Sequence, residues 1–287
     1  MLDKKTTRQH FERAAKSYDA AAVLQEEVAR RICERLDYIK LQPKRVLDVG
    51  SGTGFLSKDL VKRYPKAQTI SLDIALNMAK ICKKGGGWVN NWFGSAKLQA
   101  VCADAEQLPF KSDSIDLIVS SLMLQWSNDL PKTFAGFHSV LAPNGLLLFS
   151  TFGPDTLKEL RQSWAVVDDS PHTSSFIDMH EIGDALLQAG FINPVTDMEM
   201  ITMTYADVRQ LMRDIKNIGA SNTDSQRSKG LMGKQKFKAF EQAYEQFKTV
   251  DGLYPASWEV IYGHAWVGEG IKLDNYEKVF PIVAAKD

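Results

Sequence analysis

Cysteine is scarce in this sequence, and no stretch of it is apolar enough to cross a membrane. The 287 residues include three cysteines, which are scattered along the chain and form no Cys-x-x-Cys pair. Disulfide frameworks and structural zinc sites need paired or closely spaced cysteines, so we expect neither of them and no bound metal. No apolar run approaches the roughly 20 residues that a membrane span requires. The first 18 residues are too highly charged for a signal peptide.

An excess of either charge is also missing. Lysine and arginine together number 35, aspartate and glutamate together number 35, and the formal net charge is therefore 0. Without a net positive field the chain has no general attraction to nucleic acid or to an anionic membrane surface. Its 44% hydrophobic and 24% charged residues are ordinary for a globular protein. We therefore expect a soluble, cytoplasmic enzyme or binding protein with no nucleic-acid or membrane partner.

Seven segments have the composition of β-strands, and predicted helices alternate with most of them. The predicted strands cover residues 46–49, 69–73, 98–103, 115–120, 146–152, 198–205 and 258–267. The predicted helices cover residues 5–39 with a break near Tyr18, 55–63, 75–83, 130–141, 155–167, 179–189, 206–218 and 233–248. Strands that alternate with helices favour an α/β fold, in which a mostly parallel seven-stranded sheet carries helices on both faces.

The regular alternation weakens after Phe152, and the chain divides into three predicted regions. We expect an N-terminal helical cap at residues 1–40 and a Rossmann-like cofactor-binding core at residues 41–152. Residues 153–287 are expected to supply the last strands of the same core, with an inserted helical lid around residues 206–250. The lid is therefore predicted as an insertion into one fold and not as a second independent domain.

The most informative stretch is a glycine-rich turn that follows the first predicted strand. Asp48 near the end of that strand is followed by glycines at positions 50, 52 and 54, and a helical pattern begins at Phe55. Glycine permits backbone conformations that side chains forbid and lets a ligand approach closely, while the following helix offers free N–H groups. The spacing differs from the Gly-x-Gly-x-x-Gly dinucleotide fingerprint and resembles motif I of class I S-adenosylmethionine (SAM) methyltransferases. That resemblance implies the Rossmann-like fold of this class and SAM as the cofactor.

Acidic residues end the first three predicted strands, at the edge where open α/β sheets bind their ligands. We expect Asp73, after the second strand, to accept hydrogen bonds from both ribose hydroxyls of SAM. Residues 104–110 (DAEQLPF) resemble the adenine-binding motif of the same superfamily, which assigns Asp104 to the adenine amino group and the Ala105 N–H to the ring. The predicted cofactor contacts are Asp48, Gly50, Ser51, Gly52, Gly54, Asp73, Ile74, Met78, Asp104, Ala105, Ser120 and Leu122.

Further strings resemble one particular family of methyltransferases over almost the whole chain. They cover residues 11–19 (FERAAKSYD), 121–126 (SLMLQW), 153–160, 171–182, 216–222 and 254–256. Together they resemble the malonyl-acyl-carrier-protein O-methyltransferases of biotin synthesis. The resemblance implies SAM-dependent methylation of the free malonyl carboxylate on acyl carrier protein, or on coenzyme A, with S-adenosylhomocysteine as the second product. The methyl ester would then prime pimeloyl synthesis.

The resemblance and the chemistry together indicate three residues at the reacting centre. A malonyl carboxylate is already ionised at pH 7, so the transfer requires alignment rather than a general base. Tyr18 and Trp126 lie in family-like strings, and the Trp126 ring is expected to line the site and exclude water from it. Lys216 is the preferred cation for the substrate carboxylate because it also lies in such a string. The alternative cations are Arg209, Arg213 and His172.

A group of positive residues beside the predicted lid is a candidate docking surface for the carrier protein. Acyl carrier proteins are acidic, and complementary charge steers such partners together. The densest run of positive charge, which we name the basic cluster, consists of Arg227, Lys229, Lys234, Lys236 and Lys238.

Three other functions fit parts of the same sequence. The nearest is a mitochondrial respiratory-complex assembly factor on the same scaffold, a protein-arginine hydroxylase-like relative that this chain also resembles in several C-terminal strings. The second is a small-molecule methyltransferase, for example one that acts on a quinone precursor, and the third is a catalytically silent SAM-binding module. The acidic pattern predicts SAM binding under every alternative. The N-terminal and lid strings are what favour the carrier-protein enzyme over the quinone methyltransferase.

Overall fold

A seven-stranded sheet lies at the centre of the computed structural model, which describes residues 1–85, 98–224 and 233–268. The strands are β1 (Arg45–Val49), β2 (Gln68–Asp73), β3 (Leu98–Cys102), β4 (Ile115–Ser121), β5 (Leu141–Phe152), β6 (Ile192–Tyr205) and β7 (Tyr254–Trp266). Their order across the sheet is β3-β2-β1-β4-β5-β7-β6.

The sheet is parallel from β3 to β5, and β7 runs antiparallel to its neighbours. β1 pairs in parallel with β2 and β4, β2 pairs with β3, and β4 pairs with β5. β7 lies between β5 and β6 and pairs antiparallel with both. The carboxyl ends of the parallel strands therefore lie at one edge of the sheet, where such folds bind their ligands. This arrangement confirms the predicted mostly parallel, Rossmann-like sheet.

Helices cover both faces of the sheet. Within the described residues they are α1 (Lys4–Ala14), α2 (Tyr18–Ala21), α3 (Val23–Arg35), α4 (Phe55–Arg63), α5 (Leu76–Gly85), α6 (Leu130–Val140), α7 (Lys158–Ala165), α8 (Met179–Gln188), α9 (Val208–Asn217) and α10 (Lys234–Tyr244). None of them is long and apolar enough to cross a membrane. The helices α9 and α10 lie in the region predicted as a lid, and their movement as a lid stays a prediction.

Two hydrophobic cores lie on opposite faces of the sheet. Successive side chains of a strand point to opposite faces. One core accordingly contains Val46, Leu117 and Leu146, and the other contains their neighbours Leu47, Ile118 and Leu147. Because both faces are covered, the central strands are continuously apolar, which is the pattern that predicted them.

The last three strands in the sequence are longer than predicted. β5 begins at Leu141 rather than at residue 146, β6 begins at Ile192 rather than at residue 198, and β7 begins at Tyr254 rather than at residue 258. Pro194 lies in the extension of β6, and a proline normally argues against a strand except at a sheet edge or a bulge. Here the register shifts between Ile192 and Val195, and Asn193 has a positive φ of 49°. This irregular start at the edge of the sheet accommodates the proline.

A cap on α5 fixes helix α1 over the carboxyl edge of the sheet. The Glu12 carboxylate accepts hydrogen bonds from the Leu76 N–H at 2.6 Å and from the Asn77 N–H at 2.9 Å. A helix N-terminus leaves such N–H groups without partners, and a negative charge there also matches the helix dipole. Ala14 packs in a small cluster with Met78 of α5. The N-terminal helix α1 therefore covers the edge of the sheet at which β2 ends.

Candidate active site

The glycine-rich turn joins β1 to α4 and needs glycine for two different reasons. Gly50, Gly52 and Gly54 have positive φ values of 77°, 53° and 95°, which other residues rarely adopt. Space is the second reason. A Cβ atom on Gly50 would lie 2.5 Å from the Met123 Cβ atom, and one on Gly54 would lie 2.6 Å from the Cys82 Sγ atom. The turn is therefore packed between the loop after β4 and helix α5.

Asp73 ties this turn to the end of β2. Its carboxylate accepts hydrogen bonds from the Gly52 N–H at 2.9 Å and from the Ala75 N–H at 2.8 Å. The side chain is buried, and burial raises the pKa of Asp73 to about 6. An ionised carboxylate accepts about four hydrogen bonds. The acceptor positions that remain suit the predicted pair of ribose hydroxyls.

Asp48 lies beneath the turn. It is 1% exposed, and its carboxylate accepts a hydrogen bond from the Ser57 hydroxyl. Burial is the main reason that the pKa of Asp48 is raised to about 7. Ser120 is also buried, and its hydroxyl donates to a backbone carbonyl of β1. Asp48, Ser51, Gly54 and Ser120 lie outside the cavity lining described next, so a direct cofactor contact from these four residues stays a prediction.

Eight of the twelve predicted cofactor contacts line one cavity at the carboxyl edge of the sheet, which we name the cofactor cavity. They are Gly50, Gly52, Asp73, Ile74, Met78, Asp104, Ala105 and Leu122. The carboxylates of Asp73 and Asp104 supply the acceptors that ribose and adenine need. A Cβ atom on Gly52 would point toward the Tyr18 ring, 3.8 Å away, so glycine keeps this wall open. The residues present therefore fit SAM.

Helix α1 contributes to this cavity in a way that the sequence does not predict. Lys4, Thr7 and Phe11 belong to the lining. The Lys4 ammonium lies 2.7 Å from an Asp104 carboxylate oxygen and 2.9 Å from a Glu106 carboxylate oxygen. A lysine near the start of the chain carries no local signal of a partner one hundred positions away. The helical pattern of residues 5–39 and the family-like string at residues 11–19 pointed to a packed N-terminal element but not to Lys4.

A second cavity of about 810 Å³, which we name the large cavity, opens beside the first. Four residues line both cavities and form what we name the junction: Phe11, Tyr18, Leu122 and Trp126. The structure thus brings together Tyr18 and Trp126, two of the three predicted catalytic residues. The third, Lys216, lines the large cavity only.

The junction is aromatic and contains a neutral phenol. The rings of Phe11 and Trp126 pack edge to face, with their centroids 5.2 Å apart. Burial raises the pKa of Tyr18 above its usual value, and the negative charges of Asp73 and Asp19 add to this effect. Tyr18 therefore keeps its proton near pH 7, where its hydroxyl is a hydrogen-bond donor and not a base.

Aromatic rings and a histidine that contacts an aspartate line the large cavity. The Trp164 ring stacks on the His172 imidazole with centroids 3.9 Å apart and on the Phe240 ring with centroids 4.2 Å apart. The Asp168 carboxylate lies 2.8 Å from the His172 Nε2 atom and 3.0 Å from the Lys236 Nζ atom. Hydrogen bonds from these two partners hold the pKa of Asp168 well below its usual value. His172 is therefore already paired with an acid.

The four candidate cations of the large cavity differ in how far acidic neighbours neutralise them. Arg209 contacts the Glu241 carboxylate twice, at 2.6 Å and 2.9 Å. Arg213 lies 3.9 Å from the Asp207 carboxylate. Among the residues that the structure describes, none forms an ion pair with Lys216. Lys216 is therefore the least neutralised of the four.

Residues of two family-like strings pack tightly against, or hydrogen-bond to, segments around the cavities. A Cβ atom on Gly153 would lie 2.6 Å from a Glu259 carboxylate oxygen, so the turn after β5 packs tightly on β7. Gly219, with a φ of 76°, packs against the Phe11 ring of α1. The Asn222 side chain donates to a backbone carbonyl in the loop before α8. These strings hold the walls of the large cavity in place.

Solved structures share this fold at low sequence identity. The YcgJ protein from Bacillus subtilis superposes with a TM-score of 0.59 at 16% identity, over 83% of this chain and 98% of that chain. A Haemonchus contortus phosphoethanolamine N-methyltransferase 2 solved with S-adenosyl-L-methionine gives a TM-score of 0.53 at 15% identity, over 90% of this chain and 57% of that chain. At such identities the likeness shows the fold alone.

Relatives of high identity show the family. Residues 47–149 match the model of a methyltransferase domain. A Gallionella capsiferriformans protein curated as malonyl-acyl-carrier-protein O-methyltransferase is 53% identical over 93% of this chain and 91% of its own length. Proteins of the same name from Methylovorus sp. and Laribacter hongkongensis are 51% and 50% identical, over 90% and 89% of their lengths. The chain belongs to the malonyl-acyl-carrier-protein O-methyltransferase family, and it is a SAM-dependent methyltransferase.

Proposed function

We propose that this chain methylates the free carboxylate of a malonyl group that acyl carrier protein holds as a thioester. The observation that carries the proposal is the junction, where a cavity with acceptors for SAM meets a large cavity whose Lys216 pairs with no acid among the described residues. The high identity to relatives named for this reaction also supports it. The same identity favours this function over an assembly factor or a quinone methyltransferase. The methyl ester would mask the charge of the malonyl group for fatty-acid enzymes and so prime pimeloyl synthesis for biotin.

The reaction needs no proton transfer from the protein. When bound, SAM supplies a methyl group on a positively charged sulfur, and a malonyl carboxylate is ionised at pH 7. The transfer forms a bond between a carboxylate oxygen and the methyl carbon and breaks the bond between that carbon and sulfur. The protein therefore has to align three atoms, and such alignment contributes on the order of several kcal/mol to lowering the barrier. This requirement explains why a junction without a general base is sufficient.

The residues of the junction and of the large cavity divide this work between them. Phe11 and Trp126 exclude water, which favours a reaction in which opposite charges neutralise each other. The neutral Tyr18 hydroxyl is a hydrogen-bond donor at the junction. Lys216 attracts the substrate carboxylate into the large cavity from helix α9.

Transfer of a labelled methyl group tests this function directly. The enzyme is incubated with methyl-labelled SAM and, in parallel, with malonyl-, acetyl- and succinyl-carrier protein and with malonyl-CoA. We expect base-labile label on the malonyl thioesters only, because acetyl has no carboxylate and succinyl places its carboxylate one methylene too far. Absence of label on malonyl-carrier protein, or equal labelling of the succinyl form, would overturn the function and leave the fold untouched.

The basic cluster is the proposed docking surface for the carrier protein. Lys234 and Lys238 are exposed on α10, whereas Lys236 contacts Asp168, and Arg227 and Lys229 lie outside the described residues. α10 also contributes to the wall of the large cavity. An acidic carrier protein held on α10 would therefore have the mouth of the large cavity beside it.

Charge reversal tests this surface. The triple variant K229E/K234E/K238E is expected to raise the KM for malonyl-carrier protein by about 10-fold or more, since like charges repel. The KM for SAM should stay within about twofold because the cofactor cavity lies elsewhere. The matched control K40E/K44E/K66E reverses three lysines near the starts of β1 and β2, at the opposite edge of the sheet. An unchanged KM for malonyl-carrier protein in the first triple variant, or an equal rise in the control, would contradict the proposal that the basic cluster is the docking surface.

A further inference from the structure

Leu122 at the junction holds an unusual backbone conformation. Its φ is 50°, a region that branched and bulky residues rarely enter and that persists only where the surroundings enforce it. The Leu122 N–H donates to both the carbonyl and the hydroxyl of Ser150, at 3.1 Å each. The Leu122 carbonyl accepts a hydrogen bond of 2.6 Å from the Gln125 side chain. The strained residue is therefore fixed from both sides.

The Gln125 amide is itself locked in one orientation. A carbonyl oxygen only accepts hydrogen bonds, so the Gln125 atom that faces the Leu122 carbonyl is the nitrogen Nε2. The Thr151 hydroxyl donates to the amide oxygen of Gln125 at 3.3 Å. Thr151 is 4% exposed, so it has little freedom to leave this position. Both ends of the amide are thus assigned and held.

Among the residues that the structure describes, one N–H donor of Gln125 has no partner after these bonds are made. The amide nitrogen carries two N–H groups, and Leu122 takes one of them. Gln125 is half-buried and lines the large cavity, beside the junction residues Leu122 and Trp126. A neutral, pre-oriented donor therefore borders the space that the substrate carboxylate would occupy.

We infer that Gln125 is a specificity-determining residue that hydrogen-bonds one carboxylate oxygen of the malonyl group and leaves the other free to attack. The inference rests on the proposed function and assigns a residue to the recognition of its substrate. Lys216 attracts the carboxylate by its charge, whereas the neutral Gln125 amide orients the group and reduces its nucleophilicity less than a direct ion pair would. No proton is transferred, and the amide stays neutral throughout.

The test compares the binding of malonyl- and acetyl-carrier protein in the presence of S-adenosylhomocysteine, so that it is independent of turnover. The variant Q125L is expected to lower the preference for the malonyl form by about 10- to 100-fold, the usual effect of losing a hydrogen bond to a charged group. Acetyl-carrier protein, which has no carboxylate, should bind as it does to the wild type. T151V, which leaves Gln125 in place but removes its lock, should lower the malonyl preference by less.

Q246L is the matched control. Gln125 and Gln246 both lie on short 3₁₀ helices (Leu124–Trp126 and Glu245–Phe247), and each donates its amide to the carbonyl three residues earlier. Gln246, however, lies outside the cavity linings. Its replacement should leave the malonyl preference unchanged.

Each outcome gives a distinct answer. If the folded Q125L protein keeps the wild-type preference, the inference is wrong. If it loses affinity for S-adenosylhomocysteine and for both carrier proteins alike, Gln125 only fixes Leu122, and the inference is also wrong. If the wild type itself shows no preference for malonyl- over acetyl-carrier protein, the proposed function fails together with the inference.

Discussion

Replacement of Asp73 by alanine is expected to reduce the affinity for SAM by a factor of about 100 or more. Hydrogen bonds to a charged group contribute about 1.5–3 kcal/mol each, and the proposed contact with the ribose contains two of them. The change also removes the acceptor of the Gly52 and Ala75 N–H groups, which loosens the turn. Calorimetric titration with SAM and with S-adenosylhomocysteine measures the loss, and circular dichroism verifies the fold.

Two further variants test whether the loss of SAM affinity is due to the Asp73 carboxylate itself. D73N retains one acceptor oxygen and should lose less affinity than D73A. D59A removes an exposed carboxylate of α4 that pairs with Lys62 at 2.9 Å, and it should bind SAM like the wild type because Asp59 lies outside the cofactor cavity. A folded D73A protein that binds SAM within about threefold of the wild type would refute the assignment of Asp73 to the ribose.

The substitution of Gly50 by alanine is expected to cause the second largest loss. The new methyl group would lie 2.5 Å from the Met123 Cβ atom, and the φ of 77° disfavours any side chain. Overpacking of this kind costs about 1–3 kcal/mol. Met123 follows Leu122, so its displacement should also disturb the junction and lower kcat by about 10-fold or more. Urea denaturation and steady-state kinetics measure the two effects.

Gly183 supplies the matched substitution. It lies within helix α8, and a Cβ atom there would meet nothing within 4 Å. Alanine is favoured over glycine inside a helix by about 1 kcal/mol, so G183A should be as stable as the wild type or more stable, with unchanged kinetics. A G50A protein that resembles G183A in both measurements would show that the turn tolerates a side chain.

Site residues that lie at the end of a strand or in the turn after it could be predicted from the sequence. The glycine spacing and the acids that end successive strands act locally, because a strand end and the following turn position Gly50, Asp73 and Asp104 whatever the rest of the chain does. Periodicity likewise located the central strands, since burial on both faces makes them continuously apolar.

Contacts that depend on distant packing could not be placed in this way. Lys4 contacts Asp104 and Glu12 caps α5 only because α1 packs against distant segments of the chain, and no sequence periodicity reveals such contacts. The amide of Gln125 acquires its orientation from Thr151 on a neighbouring strand. The tight packing of Gly153 on Glu259 requires the chain to return from more than one hundred residues away. Of these residues, Glu12, Gln125 and Gly153 lie in strings that resemble relatives, whereas no sequence pattern indicates Lys4.

The position of β7 in the sheet affects how the chain can fold while it is being synthesised. Because β7 lies between β5 and β6, a nascent chain that has left the ribosome only as far as β6 has no strand to connect β6 to the sheet. The twelve-residue strand β5 would then expose an unpaired edge until residues 254–266 emerge. Such exposed edges can pair with other chains. Chaperone demand during synthesis should therefore peak just before β7 appears, and ribosome-bound fragments that end before residue 254 should be the most prone to aggregation.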